Sequence, residues 1–118
     1  MIGESKVDET RSVVTIAHSI IQQAIRDNAS EICIEPANLG LLASIKVGEE
    51  WQEVLALPDC MLGPVIERFK QMANVDLTCV NRSQEGRIPV QHAGKEYVIA
   101  LRSAPTFIGE HVGMRFEA

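Results

Sequence analysis

Twice along the chain, apolar residues first recur at the spacing of a helix and then alternate as they do in strands. From Val13 to Ile25 they return at intervals of three and four, which predicts one broad apolar face of an amphipathic helix. Asp8 is the expected N-cap of this helix. Asp27 and Asn28 are where we expect it to end.

Three alternating runs follow the first helix and predict three strands. In Ser30–Pro36, Ile32 and Ile34 alternate with other residues at the period of a half-buried strand, and the proline ends the run. Leu42–Val47 and Trp51–Leu57 are the next two runs, and the glycine and two glutamates between them predict a hairpin.

The second half of the chain repeats this order. Pro58 and Asp59 open a second helix with Asp59 as the expected N-cap, and residues 74–86 form a polar linker after it. Two runs around a tight turn at Ala93–Gly94, and one final run, predict three further strands. The apolar face of the second helix is predicted to consist of Leu62, Val65, Ile66, Phe69, Met72 and Ala73. The predicted strands are centred on Ile88–Val90, Tyr97–Leu101 and His111–Phe116.

The order of elements limits the fold class. Connections within each strand pair are too short for parallel crossovers, so the strands are expected to pair antiparallel. The predicted fold is α+β, a sheet of about six strands with two main helices on one face. A chain of 118 residues has room for one core, and we expect a flexible leader at residues 1–11 and a folded domain at residues 12–118. The expected centre of the core is Ile20, Ile21, Ile34 and Phe69.

Composition and charge exclude several functional classes. With 46% hydrophobic and 23% charged residues, the chain is expected to fold. A net charge of −5, with the cations scattered, argues against a nucleic-acid partner. The sequence shows neither a signal-peptide pattern nor an apolar stretch long enough to span a membrane, so we expect no membrane insertion and a cytoplasmic location.

The residues that could carry chemistry point away from catalysis. Neither G-x-x-x-x-G-K-[ST] nor G-x-G-x-x-G occurs, and no nucleophile with a partnering base is recognisable, so we expect no enzyme activity and no cofactor. Glu31 and Glu35 lie on the same face of a strand, and a solvent-exposed strand face is sufficient to explain these two carboxylates without acid–base chemistry. We also expect no metal site, because Cys33 could join His92 and His111 only if the strand order brings them together.

Three local strings are more specific than the composition. Ala29–Pro36 reads A-S-E-I-C-I-E-P, Ser83–Ile88 reads S-Q-E-G-R-I, and Leu101–Arg115 reads L-R-S-A-P-T-F-I-G-E-H-V-G-M-R. In this order, the sequence resembles the domain that precedes the RecA-like motor in bacterial type II secretion and type IV pilus assembly ATPases. The resemblance extends over residues 12–116 and implies a PAS-like α+β domain involved in protein transport.

The resemblance also implies where partners bind. Family members place arginines of this domain near the nucleotide of the motor and at subunit contacts, and the matching positions here are Arg87, Arg102 and Arg115. Lys46 stands where the family has R-x-R-x-D-G, and the family's Asp and His are replaced by Glu31 and Cys33.

These departures favour a motorless, non-catalytic interaction or regulatory domain. Its expected partner is a secretion or pilus assembly ATPase, an associated factor or a second copy. A PAS-like sensor of a small molecule or nucleotide, and a fragment of a full-length assembly ATPase, are the alternatives.

Overall fold

The structure is a computed structural model, which describes residues 5–37 and 40–117. Its elements follow the predicted order of helix, three strands, helix and three strands, with a short 3-10 turn before the second helix. The bounds are α1 (Ser5–Arg26), β1 (Glu31–Ala37), β2 (Gly40–Val47), β3 (Glu50–Pro58), the 3-10 turn (Asp59–Met61), α2 (Leu62–Met72), β4 (Gln84–His92), β5 (Lys95–Thr106) and β6 (Gly109–Glu117).

All six strands form one antiparallel sheet in the order β3-β2-β1-β6-β5-β4. Each half of the chain contributes a three-stranded meander, and the two meanders meet where β1 pairs with β6. The predicted α+β class and the antiparallel sheet are therefore confirmed. The topology also brings β1, from the first half of the chain, beside the last strand.

The core lies between the helices and one face of the sheet. Every second residue of the central strands is buried there, as expected for strands that bury one face. All four residues predicted for its centre are buried, with at most 2% of each side chain exposed. These residues are Ile20, Ile21, Ile34 and Phe69.

Both helices end in the same way, with an asparagine in the left-handed region. After α1, Asn28 has φ 59°, and the Ala29 N–H donates to the Ala24 carbonyl at 2.8 Å. After α2, Asn74 has φ 58°, and the N–H of the next residue donates to the Lys70 carbonyl at 3.2 Å. This pattern satisfies carbonyls that the helix leaves free, and asparagine tolerates the conformation better than most residues. The predicted end of α1 is confirmed.

The two residues expected as N-caps do not stand at the starts of their helices. Helix α1 begins at Ser5, three residues before Asp8, because lysine, glutamate and arginine have good helix propensity without adding to an apolar stripe. Residues 5–11 of the predicted leader are therefore helical, and residues 1–4 lie outside the described residues. Helix α2 begins at Leu62, and Asp59 belongs to the preceding 3-10 turn. Met61 is the residue at its N-cap position and makes no capping side-chain bond.

The strands of the second half are longer than their apolar alternation indicates. Strand β4 begins at Gln84, inside the predicted linker, and β5 continues to Thr106, beyond Leu101. The additional residues pair with neighbouring strands, up to the turn between Thr106 and Gly109. Backbone pairing can extend a strand where its exposed side chains give no hydrophobic signal.

Candidate functional site

The four basic residues predicted as contacts lie on one surface, the sheet face turned away from the core, here called the open face. Lys46 of β2 stands opposite Glu31 of β1, which in turn stands opposite Arg115 of β6. The same row continues through Ala100 of β5 to Arg87 of β4. Side chains in register across neighbouring strands share a face, so the sheet brings residues from four strands together.

Arg102 occupies the next row of the open face. On one side it stands opposite Gly113 of β6, and on the other it stands opposite Glu85 of β4. Because Gly113 has no side chain, this row is open beside the guanidinium group. Arg102 and Arg87 are mostly exposed, with 69% and 70% of their side chains accessible to solvent.

Acidic neighbours pair with three of the four basic residues. Arg87 Nε lies 3.1 Å from Glu117, whereas Lys46–Glu31 and Arg102–Glu85 are looser pairs at 3.8 and 3.9 Å. The ion pairs found within residues 5–37 and 40–117 do not include Arg115. Exposed pairs of this kind contribute about 0–1 kcal/mol each, so these side chains can exchange their partners at low cost.

A depression of about 820 Å³ lies among these arginines. Its lining includes the small residues Ala100, Ala104 and Gly113 together with Arg87 and Arg102. Arg115 and two glutamates also line it. Small residues beside long guanidinium groups leave a volume in which an anionic group could accept several hydrogen bonds.

A cysteine, a glutamate and a histidine meet beside this depression. Cys33 and Glu35 project from β1, and Cys33 Sγ lies 3.3 Å from Nε2 of His111 on β6. One ligand atom from each of the three residues falls within 4.8 Å of the others. Burial, and after it the negative charges of Glu35 and Glu31, raises the pKa of the Cys33 thiol to about 11.

The strand order thus joins Cys33 to His111 and leaves His92 elsewhere. His92 is the last residue of β4, which lies two strands away from β6. The sequence predictions named Cys33 and His111 and required that the strand order bring them together. The β1–β6 pairing meets this requirement, but no local sequence pattern predicts that pairing.

The sequence predictions missed a buried ion pair on the helix side of the sheet. Lys70 of α2 is 1% exposed, and its ammonium group donates to Glu110 of β6 at 2.9 Å and to the Cys79 carbonyl at 3.1 Å. A second depression, of about 560 Å³, lies beside this pair. Lys70 lies one helical turn after Ile66, on the apolar face of α2. This position in the sequence could have predicted that Lys70 is buried.

None of the helices in the described part of the chain combines the length and the apolar character that crossing a bilayer requires.

Comparison with known proteins identifies relatives over nearly all of the chain. The family model described as "Type II/IV secretion system protein" matches residues 6–117. The type II secretion system protein HxcR of Pseudomonas aeruginosa is 32% identical over 103 residues, which are 87% of this chain and 22% of the relative. The type IV pilus assembly ATPase PilB of Myxococcus xanthus is 30% identical over 112 residues, which are 94% of this chain and 20% of that protein.

A solved structure shares the fold. The X-ray structure of the Legionella pneumophila ATPase DotB superposes with a TM-score of 0.61 at 14% identity, covering 86% of this chain and 28% of that chain. The chain spans about a fifth of the length of the two curated relatives named above. Since the family model matches nearly the whole chain, the protein belongs to the Type II/IV secretion system protein family, as its three sequence strings indicated.

Proposed function

We propose that this chain is a non-catalytic interaction domain whose open face binds an acidic or phosphate-bearing surface of another protein. The partner we propose is a secretion or pilus assembly ATPase or a factor associated with one, in a cytoplasmic setting. The observation that carries the proposal is the placement of Arg87, Arg102 and Arg115 around one depression. Relatives named as a secretion system protein and a pilus assembly ATPase support the choice of partner.

The chemistry of the open face suits such a partner. Each guanidinium group offers up to five donors in a planar fork, which matches carboxylate and phosphate oxygens. Among residues 5–37 and 40–117, the ion pairs of Arg102 and Arg87 are made with exposed glutamates, which an incoming anion can replace. Lys46 stands in the same row as Arg87 and Arg115, which widens the basic surface.

The experiment compares charge reversal on the open face with charge reversal elsewhere. Wild type, Arg102→Glu and Arg82→Glu are titrated calorimetrically against the secretion and pilus assembly ATPases of the host. Arg82 is an exposed arginine of the α2–β4 loop, which makes it a matched control. A charged hydrogen bond contributes about 1.5–3 kcal/mol, so Arg102→Glu is expected to weaken binding about tenfold or more, with Arg82→Glu unchanged. Equal binding by all three proteins would remove Arg102 from the interface.

The depression supports a second candidate, a sensor of a small anionic ligand such as a nucleotide. Its volume of about 820 Å³ is in the range of small-molecule sites, and arginines line it. This candidate predicts that a nucleotide raises the melting temperature of wild type and not that of Arg102→Glu. If the titrations find no protein partner and this shift is present, the sensor function replaces the interaction function.

A further inference from the structure

The cluster of Cys33, Glu35 and His111 has the donor set of a transition-metal site. It offers one sulfur, one carboxylate oxygen and one imidazole nitrogen, all within 4.8 Å of one another. Mg²⁺ and Ca²⁺ are bound mainly by oxygen ligands, whereas a set with sulfur and nitrogen suits Zn²⁺ and similar borderline-soft ions. The expected ligand is therefore a divalent ion of the zinc class.

The sulfur–nitrogen distance within the cluster is close to the one that a single ion requires. With Zn–S near 2.3 Å and Zn–N near 2.0 Å, tetrahedral geometry separates sulfur from nitrogen by about 3.5 Å. Cys33 Sγ and His111 Nε2 are already 3.3 Å apart. A small side-chain adjustment would place both atoms around one ion, with Glu35 completing three protein ligands.

The sheet holds the three residues from two paired strands. Cys33 and Glu35 are two residues apart on β1 and therefore project to the same face. Cys33 stands opposite Ser44 on β2 and opposite Gly113 on β6, so the directly opposed position on β6 places no side chain over its sulfur. All three ligating residues are half-buried, which lets an ion enter and still shields it from bulk water.

The charge around the cluster also favours a cation. Glu31 lies two residues before Cys33 on the same face of β1 and adds a second carboxylate to that of Glu35. Lys46 pairs loosely with Glu31 at 3.8 Å and Arg115 stands opposite Glu31 on β6, so the charge of Glu31 is partly offset, whereas the ion pairs found within residues 5–37 and 40–117 do not include Glu35. A bound dication would reduce the repulsion between these carboxylates.

We propose that Cys33, Glu35 and His111 form a Zn²⁺ site with three protein ligands and one open coordination position. Water, or a donor atom of a partner that approaches the open face, could fill the fourth position. The site lies beside the arginine depression, of which His111 is a lining residue, but it uses none of the basic residues of the proposed function.

The test uses the tag-free, reduced protein and Co²⁺ as a spectroscopic substitute for Zn²⁺. One equivalent of Co²⁺ is expected to produce a thiolate-to-cobalt charge-transfer band together with the visible bands of a tetrahedral ion, and Zn²⁺ should displace them. Cys33→Ser is expected to abolish the charge-transfer band. His111→Gln is expected to lower the affinity about 100-fold or more, because even changes next to metal ligands cost about 10- to 100-fold.

The controls are residues of the same types outside the cluster. Cys60→Ser alters an exposed cysteine of the 3-10 turn, and His92→Gln alters the histidine that the cluster lacks; both should bind Co²⁺ like wild type. Arg102→Glu should also retain the Co²⁺ spectrum of wild type. The test of the metal site is therefore independent of the test of the proposed function. Absence of a stoichiometric band in wild type, retention of the band in Cys33→Ser, or unchanged affinity in His111→Gln would each overturn the site.

Discussion

At the residue scale, Lys70 carries a charge into the interior, where it is matched by Glu110 and one carbonyl. Removing ions from water costs several kcal/mol each, and their attraction offsets this only when the geometry is good. The ammonium group meets both carboxylate oxygens, at 2.9 and 3.2 Å, which is such a geometry. The pair fastens α2 to β6 and to the loop that carries Cys79.

Breaking this pair on one side should destabilise the protein strongly. Lys70→Ala leaves Glu110 without its cation, and we expect the free energy of unfolding to fall by about 3–5 kcal/mol in urea titrations. The double variant Lys70→Met with Glu110→Leu removes both charges and should lose less than the single variant. A double variant that loses as much as Lys70→Ala would contradict the assigned role of the unpaired carboxylate.

The raised pKa of Cys33 predicts a pH dependence of stability. An unfolded cysteine releases its proton near pH 9.0, whereas the folded protein keeps it up to a pKa of about 11. Between these values the folded state binds more protons than the unfolded state, so the free energy of unfolding falls as the pH rises. Urea titrations of metal-free protein at about pH 8 and about pH 10.5 should show this decrease, and Cys33→Ser should show less of it. An identical pH dependence in both proteins would contradict the cause assigned here.

How far single residues could be predicted from the sequence depends on whether their signal is local. Lys70 lies on the apolar stripe of its own helix, so the helical spacing of the apolar residues could have predicted its burial. Cys33 and His111 are 78 residues apart, and only a pairing between distant strands makes them neighbours. The four basic residues were found through the family strings, and their common face became visible only from the strand register.

At the element scale, Gly86 explains why a glycine stands in the S-Q-E-G-R-I string. A Cβ atom at this position of β4 would lie 2.6 Å from the Ala73 carbonyl oxygen and 2.9 Å from a methyl group of Val75. The turn that ends α2 therefore packs directly on the backbone of β4. Periodicity could not show this contact, because it depends on the absence of a side chain.

Two glycine substitutions should differ in their effect on stability. Gly86→Ala forces α2 and β4 apart and is expected to cost about 1–3 kcal/mol, as overpacking does. Gly63→Ala, in the first turn of α2, meets nothing within 4 Å outside its chain neighbours, but Pro64 follows it and disfavours the helical conformation of a residue with a Cβ, so we expect a change of at most about 1 kcal/mol. Thermal melts of both variants measure the difference. An equal or higher melting temperature for Gly86→Ala would show that the close approach has no energetic cost.

The type of each element was the feature best predicted from the sequence, and the length of each element was predicted least well. The 3.6-residue period found the apolar faces of α1 and α2, and the alternating runs found all six strands. The ends of β5 and the start of α1 escaped because polar and charged residues continue these elements without an apolar pattern. Hairpin partners follow from short connections, whereas the β1–β6 pairing is set by the packing of both meanders against the same helices.

At the scale of the whole molecule, the pattern G-x-x-x-x-G-K-[ST] of a phosphate-binding loop does not occur in this sequence. Catalysis of phosphoryl transfer depends on a cradle for the phosphates and on a positioned magnesium ion. We therefore expect the purified chain to hydrolyse ATP no faster than a protein-free control in a phosphate-release assay. Turnover that copurifies with the chain and disappears in Arg87→Ala would contradict this prediction.

The pairing of β1 with β6, in the middle of the sheet, is the shortest strand pairing of the described residues. The registered pairs run only from Glu31 to Ile34, whereas β5 is paired with β6 from Val98 to Thr106. The two meanders are thus joined by a short line of strand pairing, the seam, with the helices bridging them on one side. Cys33 and His111 stand on opposite sides of that seam. An ion bound between them would link β1 to β6 across this short pairing, and removing the ion would lower the free energy of unfolding.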